Sequence, residues 1–261
     1  MTALRPVTLI TGASAGIGHA LAQVFAKNGH ELVLVARREQ LLASLADEIA
    51  ATGAPRPTVL CADLSRIDAA HQIGEALTAG GLEPDIVVNN AGFGLLGPAA
   101  ALDRGEQLAM IDLNVRALTD LSLAFIESLA RYKGGILNVA SVAAFMPGPG
   151  MAVYYATKAY VLSFSEALHQ ELAPKGVRVT ALCPGPVPTE FQARAGIKAQ
   201  KLGRLIVRSA GRVAEDGYKG LRDGARVVVP GFPNQAAAVL SSVLPRTLMM
   251  RMSAAHNRDR G

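Results

Sequence analysis

Short apolar runs alternate with segments of helical periodicity along most of the chain, and this alternation most constrains the fold. The runs are Val7–Thr11, Glu31–Ala36, Thr58–Ala62, Asp85–Asn89, Gly135–Ala140, Val177–Cys183 and Arg226–Pro230. Most are apolar throughout rather than at alternate positions, which is typical of strands buried on both faces of a parallel sheet. The repeated order of strand, helix and strand therefore predicts an α/β, doubly wound parallel sheet of about seven strands with right-handed crossovers.

Segments of helical periodicity lie between these runs. They cover Gly16–Lys27, about Glu39 to Thr52, and residues near 66–79, 103–132 and 154–173. No Pro-, Gly- or Ser-rich linker and no internal repeat divides the chain, so residues 1–261 are predicted to form a single domain. The longest stretch outside the alternation, about 186–225, follows the carboxyl end of a strand. Open α/β sheets bind ligands at that edge, so we expect a lid there.

Composition excludes several classes of protein. Half of the 261 residues are hydrophobic and 18% are charged, which is too apolar for a disordered chain. Cys61 and Cys183 belong to no C-x-x-C pair and follow apolar runs, so they predict buried thiols rather than disulfides or metal ligands. An aromatic content of 5% without Trp disfavours a module that stacks nucleic-acid bases. We expect no metal site and no nucleic-acid partner.

Neither a secretory signal nor a membrane span is predicted. Residues 1–6 contain no apolar signal core, and the chain has no stretch of about 20 uncharged apolar residues. These features predict a cytoplasmic protein whose association with a membrane is at most peripheral.

A glycine-rich connection with the spacing G-x-x-x-G-x-G joins the first strand to the first helix. Gly12 permits a tight turn, while Gly16 and Gly18 let the backbone approach a pyrophosphate and let the helix pack on the strand. The residues expected to hold a dinucleotide here are Gly12, Ser14, Ala15, Gly16, Ile17 and Gly18. A purely structural turn is the alternative, and the position between a first strand and a first helix disfavours it.

The tip of the second strand indicates which dinucleotide binds. An NAD site presents an acid there to the ribose 2′-hydroxyl. In this chain Arg37 and Arg38 follow Ala36 instead, and guanidinium groups bind a 2′-phosphate as bidentate donors. The pattern favours NADP(H) over NAD(H), with Ser14 adding a hydroxyl. The alternative is a solvated pair of arginines that opens a helix.

Polar residues that could perform chemistry gather at the carboxyl ends of later strands. Tyr154 and Lys158 are four residues apart on a predicted helix, which places both side chains on one face. Ser141 lies 13 residues before Tyr154, just past the fifth strand, and Asn114 lies inside the long helix that precedes this strand. The rim formed by carboxyl ends is where doubly wound sheets bind ligands.

In these residues the chain resembles the short-chain dehydrogenase/reductase family. The matching pieces are TGASAGIG at 11–18, Asp63, NNAG at 89–92, Asn114, Ser141, Tyr154-x-x-x-Lys158 and PGPVPT at 184–189. They cover about residues 7–190, and their joint order and spacing are highly specific. The resemblance implies a single-domain Rossmann-like fold and hydride transfer between a nicotinamide cofactor and a carbonyl or alcohol.

The resemblance also implies a role for each matching residue. Tyr154 would be the acid in reduction and the base in oxidation, and Lys158 would lower its pKa and hold the nicotinamide ribose. Ser141 would donate to the substrate oxygen, and Asn114 would position a water in a proton relay. The remaining implied cofactor contacts are Asp63, Asn90, Ala91, Gly92, Pro184, Gly185, Val187 and Thr189. Tyr155 lacks the Lys and Ser at these spacings and is expected to pack.

Apolar residues are expected to line the substrate cleft. They are Phe93, Leu95, Leu96, Phe145, Met146, Met151, Pro186, Val187 and Phe191, with Phe93, Phe145, Met151 and Phe191 placed beside the substrate together with Ser141 and Tyr154. No clustered charge is present to bind a sugar phosphate or carboxylate. We expect an apolar ketone or an acyl-thioester substrate of the 3-oxoacyl type, although core packing could explain any single residue.

Positive charge is concentrated in the last quarter of the chain. Residues 191–261 carry 13 Lys and Arg against 4 Asp and Glu, whereas residues 1–190 carry 13 against 17. A stripe of cations runs through Lys198, Lys201, Arg204, Arg208 and Arg212. It predicts either a solvated lid surface or a dock for an acidic carrier protein, a coenzyme A phosphate or an anionic membrane.

The C-terminal tail, about 235–261, is basic and apolar. It is rich in Ala, Leu and Met from Gln235 to Met252 and is interrupted by Pro245 and Arg246, so it cannot span a bilayer. We expect it to pack onto the sheet or a neighbouring subunit, with membrane contact as the alternative. A homodimer or homotetramer is expected because such assemblies are common in the family that the chain resembles.

Together these features predict an NADPH-dependent reductase of an apolar ketone or 3-oxoacyl compound. An NADP-dependent alcohol or hydroxysteroid dehydrogenase working oxidatively is a second hypothesis. A non-catalytic NADP-binding scaffold is a third, and the complete set of chemical residues argues against it.

Overall fold

A computed structural model of the chain describes residues 4–197 and 207–258 and contains one seven-stranded parallel sheet. The strands are β1 (Arg5–Thr11), β2 (Leu32–Ala36), β3 (Thr58–Cys61), β4 (Leu82–Asn89), β5 (Gly135–Val139), β6 (Arg178–Leu182) and β7 (Val227–Val228). Their order in the sheet is β3-β2-β1-β4-β5-β6-β7, which is the predicted doubly wound topology. The predicted fold class is thus confirmed.

Helices cover both faces of this sheet. They are α1 (Gly16–Lys27), α2 (Glu39–Ala51), α3 (Ala69–Ala79), α4 (Arg104–Ile111), α5 (Leu118–Ala124), α6 (Ile126–Tyr132), α7 (Ala152–Leu172), α8 (Glu190–Ala195), α9 (Ala210–Arg222), α10 (Phe232–Val243) and α11 (Arg246–Arg258). In β2, Leu34 belongs to the core under α1, α2 and α9, while Val33 and Val35 belong to the core under α3, α5, α6 and α7. Neighbouring residues of one strand face opposite cores, which explains the continuous apolar runs.

The direction of winding reverses between β1 and β4, which lie side by side in the sheet. A crevice opens at such a reversal beyond the carboxyl ends of the strands, and ligands of doubly wound sheets bind there. The connections after β1 and β4 carry the glycine loop and the 89–92 segment. The topology therefore brings two of the motifs to one edge of the sheet.

The segment 103–132 is not one helix, contrary to the sequence prediction. It divides into α4, a π-helical turn at Asp112–Ala117, α5 and α6. A π turn is rare and is frequent at functional sites because it turns a side chain away from the regular helical direction. In this protein the turn contains Asn114, whose side chain is buried.

The predicted lid is shorter than expected. Helix α9, which falls in the second half of 186–225, belongs to the core because Val213, Ala214 and Leu221 are almost fully buried against the sheet side of α1. A Cβ added at Gly217 would lie 2.8 Å from Leu182 Cδ2, so glycine allows α9 to approach β6 closely. The covering element that remains in the described part of this segment is α8.

Other sequence predictions need smaller corrections. Cys183 is buried as expected, but Cys61 is exposed because it ends β3, the edge strand of the sheet. Of the cationic stripe, Lys198, Lys201 and Arg204 lie outside the described residues, while Arg208 lies 3.6 Å from Asp216. No helix among the described residues has the length and apolarity that a bilayer span requires.

Candidate active site

A cleft of about 870 Å³ runs along the carboxyl edge of the sheet, at the reversal between β1 and β4. Most residues predicted to bind a cofactor line it: Gly12, Ser14, Ala15, Gly16, Ile17, Arg37, Arg38, Asp63, Asn90, Ala91, Gly92, Pro184, Gly185, Val187 and Thr189. Ser141, Tyr154 and Lys158 line the same cleft. The tertiary structure therefore gathers segments from across the first 190 residues around one space.

The glycine loop has the backbone geometry that its sequence predicts. Gly12 and Gly16 have φ values of +64° and +60°, a region that favours glycine. Gly18 lies behind the loop rather than in the cleft, and a Cβ there would lie 2.3 Å from the Gly12 carbonyl oxygen. Asn90 Nδ2 donates to the carbonyl oxygens of Thr11 and Gly12, so this amide holds the loop in shape. These contacts leave the start of α1 open towards the cleft.

Arg38 is engaged at the tip of β2. Its guanidinium donates to Ser14 Oγ at 3.1 and 3.3 Å and forms an ion pair with Glu190 of α8 at 2.8 Å. The Glu190 carboxylate thus contacts Arg38, one of the two residues predicted to bind the 2′-phosphate. The sequence did not reveal this pair, because Glu190 is far from Arg38 along the chain.

Asp63 lies at the far end of the cleft, after β3. Its carboxylate accepts hydrogen bonds from the Ser65 backbone N–H at 3.0 Å and from the Ser65 hydroxyl at 2.7 Å. These bonds, with a smaller contribution from the positive charge of Arg37, lower the pKa of Asp63 below its usual value. The group is therefore an ionised acceptor at neutral pH.

Asn114 lies beneath the floor of the cleft rather than in its lining. Its Oδ1 accepts from the Phe93 backbone N–H at 3.1 Å, and its Nδ2 donates to the Phe93 carbonyl at 2.9 Å and to Thr157 Oγ1 at 3.1 Å. A Cβ added at Gly92 would lie 2.8 Å from Asn114 Oδ1 and 3.7 Å from Lys158 Nζ. The Asn114 side-chain amide therefore connects the segment after β4 to α7, close to the Lys158 ammonium.

Lys158 is buried in α7, one turn after Tyr154. Its Nζ donates to the Val139 carbonyl at 2.7 Å and lies 6.0 Å from the centre of the Tyr154 ring. Burial disfavours the ammonium and lowers the pKa of Lys158 to about 8. A lysine of this kind changes its charge close to physiological pH.

Ser141 follows β5 and begins a 3₁₀ turn, Val142–Phe145. Its Oγ accepts from the Ala143 N–H at 3.2 Å and lies 3.5 Å from the Pro184 carbonyl oxygen. The serine is thereby held at the edge of the cleft by the segment after β6.

The two adjacent tyrosines have different surroundings. A Cβ added at Gly148 would lie 2.3 Å from the Tyr155 ring, so this ring packs directly on the backbone, and its hydroxyl lies 3.5 Å from Asn257 Oδ1 of α11. The Tyr154 ring instead contacts Phe191 of α8, with 5.4 Å between ring centres. Tyr155 thus packs under α11, as the sequence predicts, and it also contributes to the lining of the cleft.

One end of the cleft is apolar. Of the residues placed beside the substrate, Phe93, Met151 and Phe191 line it, as do Met146, Pro186 and Val187. Phe145 does not, because its ring packs with Leu118, Val161 and Leu162 on the other side of the 3₁₀ turn. Leu95 and Leu96 pack beside the cleft without lining it.

The C-terminal helices contribute a wall of the cleft that the sequence prediction missed. Ala237 and Leu240 of α10, with Met249, Met252, Ser253 and His256 of α11, are among the lining residues. Helix α11 is fixed to the loop before α7, because Ser253 Oγ donates to the Pro147 carbonyl and Asn257 Nδ2 donates to the Pro149 carbonyl. The tail was expected to pack onto the sheet or a neighbouring subunit, whereas α11 packs on the 147–149 loop and both helices line the cleft, because nothing local in the tail sequence indicates which surface it covers.

An ion pair at the rim was also missed. Arg194 of α8 pairs with Glu106 of α4 at 2.9 Å, and its guanidinium lies 4.8 Å from the centre of the Phe93 ring. Both members line the cleft. Within the described residues, no cluster of His, Cys, Asp and Glu could hold a metal ion.

A seven-stranded doubly wound sheet, a glycine loop at its switch point and a Tyr–Lys pair beside it define a dinucleotide-dependent dehydrogenase or reductase. The chain belongs to the short chain dehydrogenase family, whose model matches residues 6–200.

Known members of the family align with most of this chain. Serine 3-dehydrogenase from Agrobacterium fabrum is 37% identical over 184 residues, which cover 70% of this chain and 72% of the relative. A short-chain dehydrogenase from Sphingobium yanoikuyae, solved with NADPH, is 33% identical with a TM-score of 0.80 over 92% of this chain and 96% of its own. The bulky-bulky ketone specific alcohol dehydrogenase from Comamonas testosteroni is 30% identical with a TM-score of 0.75, over 94% and 96%.

Other similar structures hold NADH or NADP, so the family alone does not determine the cofactor of this chain.

Proposed function

We propose that this oxidoreductase uses NADPH to reduce the carbonyl group of an apolar ketone or a 3-oxoacyl-type compound. The observation that carries the proposal is the common cleft, in which Ser141, Tyr154 and Lys158 lie between the glycine loop and an apolar end. A carbonyl that accepts hydride becomes an alkoxide, so it needs hydrogen-bond donors and a proton. These three side chains supply both.

The residues along the polar half of the cleft fit the cofactor. The glycine loop leaves the backbone at the start of α1 open to a pyrophosphate, and Arg37 and Arg38 supply guanidinium groups for a 2′-phosphate. Asp63 is an ionised acceptor suited to the adenine end, and Thr189 approaches Gly16 from the opposite wall. The bound nicotinamide would supply the hydride.

Tyr154 acts as the acid that delivers a proton to the substrate oxygen. An unperturbed phenol has a pKa of about 10, and a nearby ammonium favours its ionised form and lowers that pKa. Lys158 is that ammonium below its own pKa of about 8, and it is directed towards the site by the Val139 carbonyl. Ser141 donates a second hydrogen bond to the developing alkoxide. We assign to Asn114 the anchoring of a proton relay to Tyr154, which the hydrogen bonds of its amide to Phe93 and Thr157 near Lys158 support.

An apolar substrate is favoured because Phe93, Met151 and Phe191 line the cleft beside Tyr154, while the charges of Arg194 and Glu106 at the rim neutralise one another in an ion pair. The relative from Comamonas, which is named for bulky ketones, supports this assignment. The serine dehydrogenase relative points to a smaller and more polar substrate, and the alignment with it covers only 184 residues. In this chain the C-terminal helices add Leu240, Met249 and Met252 to the apolar wall.

The test is NADPH oxidation over a panel of carbonyl compounds, with Tyr154→Phe as the blank. The panel contains 3-oxoacyl thioesters of several lengths, steroid ketones, aromatic aldehydes and the polar aldehyde product of serine oxidation. Turnover of one apolar class that the blank loses supports the proposal. Turnover confined to the polar aldehyde, or silence despite measurable NADPH binding, would contradict it.

Arg37 and Arg38 should determine the choice of cofactor. The double variant Arg37→Ala/Arg38→Ala removes the charge-assisted bonds to the 2′-phosphate, which at these two solvent-exposed side chains contribute about 1.5–3 kcal/mol together. We expect the KM for NADPH to rise by about tenfold to a hundredfold, and the KM for NADH to change less than about threefold. Equal increases for the two cofactors would show that these arginines do not bind the 2′-phosphate.

Glu190→Gln provides a matched variant with the opposite expected effect. The substitution removes a carboxylate and so frees Arg38 from the 2.8 Å ion pair, while the hydrogen bond from Arg38 to Ser14 remains. The KM for NADPH should then fall, whereas the KM for NADH should not. A rise in the KM for NADPH would instead assign Glu190 to closure of α8 over the cofactor.

Self-association of the chain is a further part of the proposal, with a dimer or tetramer as the expected assembly. Large apolar side chains on α4, α5 and α7 are exposed, namely Leu108, Ile111, Leu123 and Tyr160. Tyr160 and Thr119 join α7 to α5 through a 3.0 Å hydroxyl contact, so part of this surface is continuous. Contact with an acidic carrier protein is left without structural support, because most of the cationic stripe lies outside the described residues.

A further inference from the structure

Helix α10 exposes apolar side chains on the face that points away from the protein. Its sequence contains no charged residue, and Phe232, Ala236, Val239 and Val243 recur at helical spacing on this face. Phe232, Val239 and Val243 are 79%, 66% and 71% exposed. Single exposed apolar residues are ordinary, but a continuous stripe of them marks an interaction surface.

Helix α11 also exposes apolar side chains and carries positive charge. Leu248, Met250 and Met252 are exposed, as are Arg246, Arg251 and Arg258. Between residues 224 and 258 the sequence contains no Asp or Glu. The surface is therefore apolar and cationic, without carboxylates of its own.

The same helices form the mouth of the cleft. Leu240 and Met252 line the cleft and are also 43% and 49% exposed, so they lie at its opening. Leu240 and Met252 thus link the exposed apolar surface of the two helices to the cleft.

We propose that the two C-terminal helices, residues 232–258, dock on the surface of an anionic lipid bilayer. The stripe of α10 enters the boundary between headgroups and acyl chains, while the arginines of α11 contact lipid phosphates. Helices of 12 and 13 residues are too short to span a bilayer and instead lie in its surface. The mouth of the cleft then opens towards the lipid. If so, the apolar substrate is one that partitions into membranes, an inference that rests on the proposed function.

Charge complementarity favours a lipid surface over a second copy of the chain. A twofold dimer buries the same patch of both subunits, so each patch meets itself. Two patches that contain arginines but no carboxylates would repel one another, whereas anionic headgroups attract both. The surface therefore fits phosphate-bearing lipid better than it fits itself.

Flotation of the whole protein with vesicles tests the docking surface without cofactor or substrate. One set of vesicles is pure phosphatidylcholine, and the other contains about 30 mol% phosphatidylserine. We expect binding to the anionic vesicles and at least about tenfold weaker binding to the neutral ones. No binding to either set, or equal binding to both, would overturn the proposal.

Matched variants locate the surface. Val243→Glu places a carboxylate in the stripe and should weaken binding about tenfold, while Ile67→Glu makes the same change at an 83% exposed position elsewhere and should not. Arg251→Gln/Arg258→Gln should weaken binding, and Arg104→Gln/Lys219→Gln, which removes the same charge elsewhere, should have little effect. Equal losses in a variant and its control would overturn the assignment.

Two further measurements keep the outcomes distinct. If light scattering shows that Val243→Glu dissociates an oligomer in the absence of vesicles, the surface joins copies of the chain and the proposal is wrong. Turnover of a water-soluble ketone without vesicles should be unchanged in Val243→Glu. Failure of all turnover in the parent protein would contradict the proposed function but not the docking surface.

Discussion

Replacing Tyr154 with phenylalanine is expected to lower kcat for carbonyl reduction by about a thousandfold. The change removes only the hydroxyl, and general acid catalysis by a positioned side chain contributes about 10²–10⁴-fold. The ring contact with Phe191 remains, so the cleft keeps its shape. Steady-state turnover on the substrate found in the panel, together with the Kd for NADPH, measures the effect. We expect Kd to change less than about threefold.

Tyr155→Phe is the matched control because it removes the same atom one residue away. The Tyr155 hydroxyl contacts Asn257 of α11, so its loss should lower the melting temperature slightly and leave kcat within about threefold of the parent. If Tyr155→Phe lost activity and Tyr154→Phe retained it, the two roles would be exchanged. If both retained activity, acid catalysis by this pair would be excluded.

Lys158→Met is expected to lower kcat/KM by about a hundredfold or more. The variant keeps much of the volume of the buried side chain but removes the ammonium. In a region shielded from water, such an electrostatic interaction with a developing charge typically contributes a factor of about 10²–10³ to the rate. Melting temperature and NADPH binding show whether the protein still folds. Retained activity in a folded Lys158→Met variant would exclude the proposed effect of Lys158 on Tyr154.

The pH dependence of the parent enzyme follows from the same lysine. Burial lowers the pKa of Lys158 to about 8, so the ammonium is present below that pH and is lost as pH rises through it. Because kcat/KM reports the free enzyme, its value for NADPH should fall above about pH 8. The kcat/KM of Lys158→Met should be low at every pH and should not decline above about pH 8. A parent profile that stays flat from pH 7 to 9 would contradict the assignment.

Local sequence patterns predicted the elements that depend on local geometry. The continuous apolar runs predicted the strands because each strand has a core on both sides. The interval of four between Tyr154 and Lys158 predicted their common face because helical geometry alone determines it. Gly12 and Gly16 could be assigned to the loop because positive φ values favour glycine.

Other features depended on contacts between distant segments. No distinctive residue composition marks the π turn around Asn114. The role of the turn emerges only in the structure, where the Asn114 amide bonds to Phe93 and Thr157. The lid prediction included α9 because residues 186–225 interrupt the alternation of strands and helices after the carboxyl end of a strand, whereas Val213 and Leu221 of α9 are buried in the core. Phe145 was placed in the cleft by its neighbours in sequence, but the 3₁₀ turn directs it to the opposite side.

The sequence alone determined the α/β class, the family and the glycine loop, and it predicted the Ser–Tyr–Lys set, since these rest on periodicity and on the order and spacing of motifs along the chain. Only the tertiary structure decided that Glu190 pairs with Arg38 and that α10 and α11 form the mouth of the cleft. Those contacts join residues more than 100 positions apart, and they form where packing of the whole sheet brings the segments together.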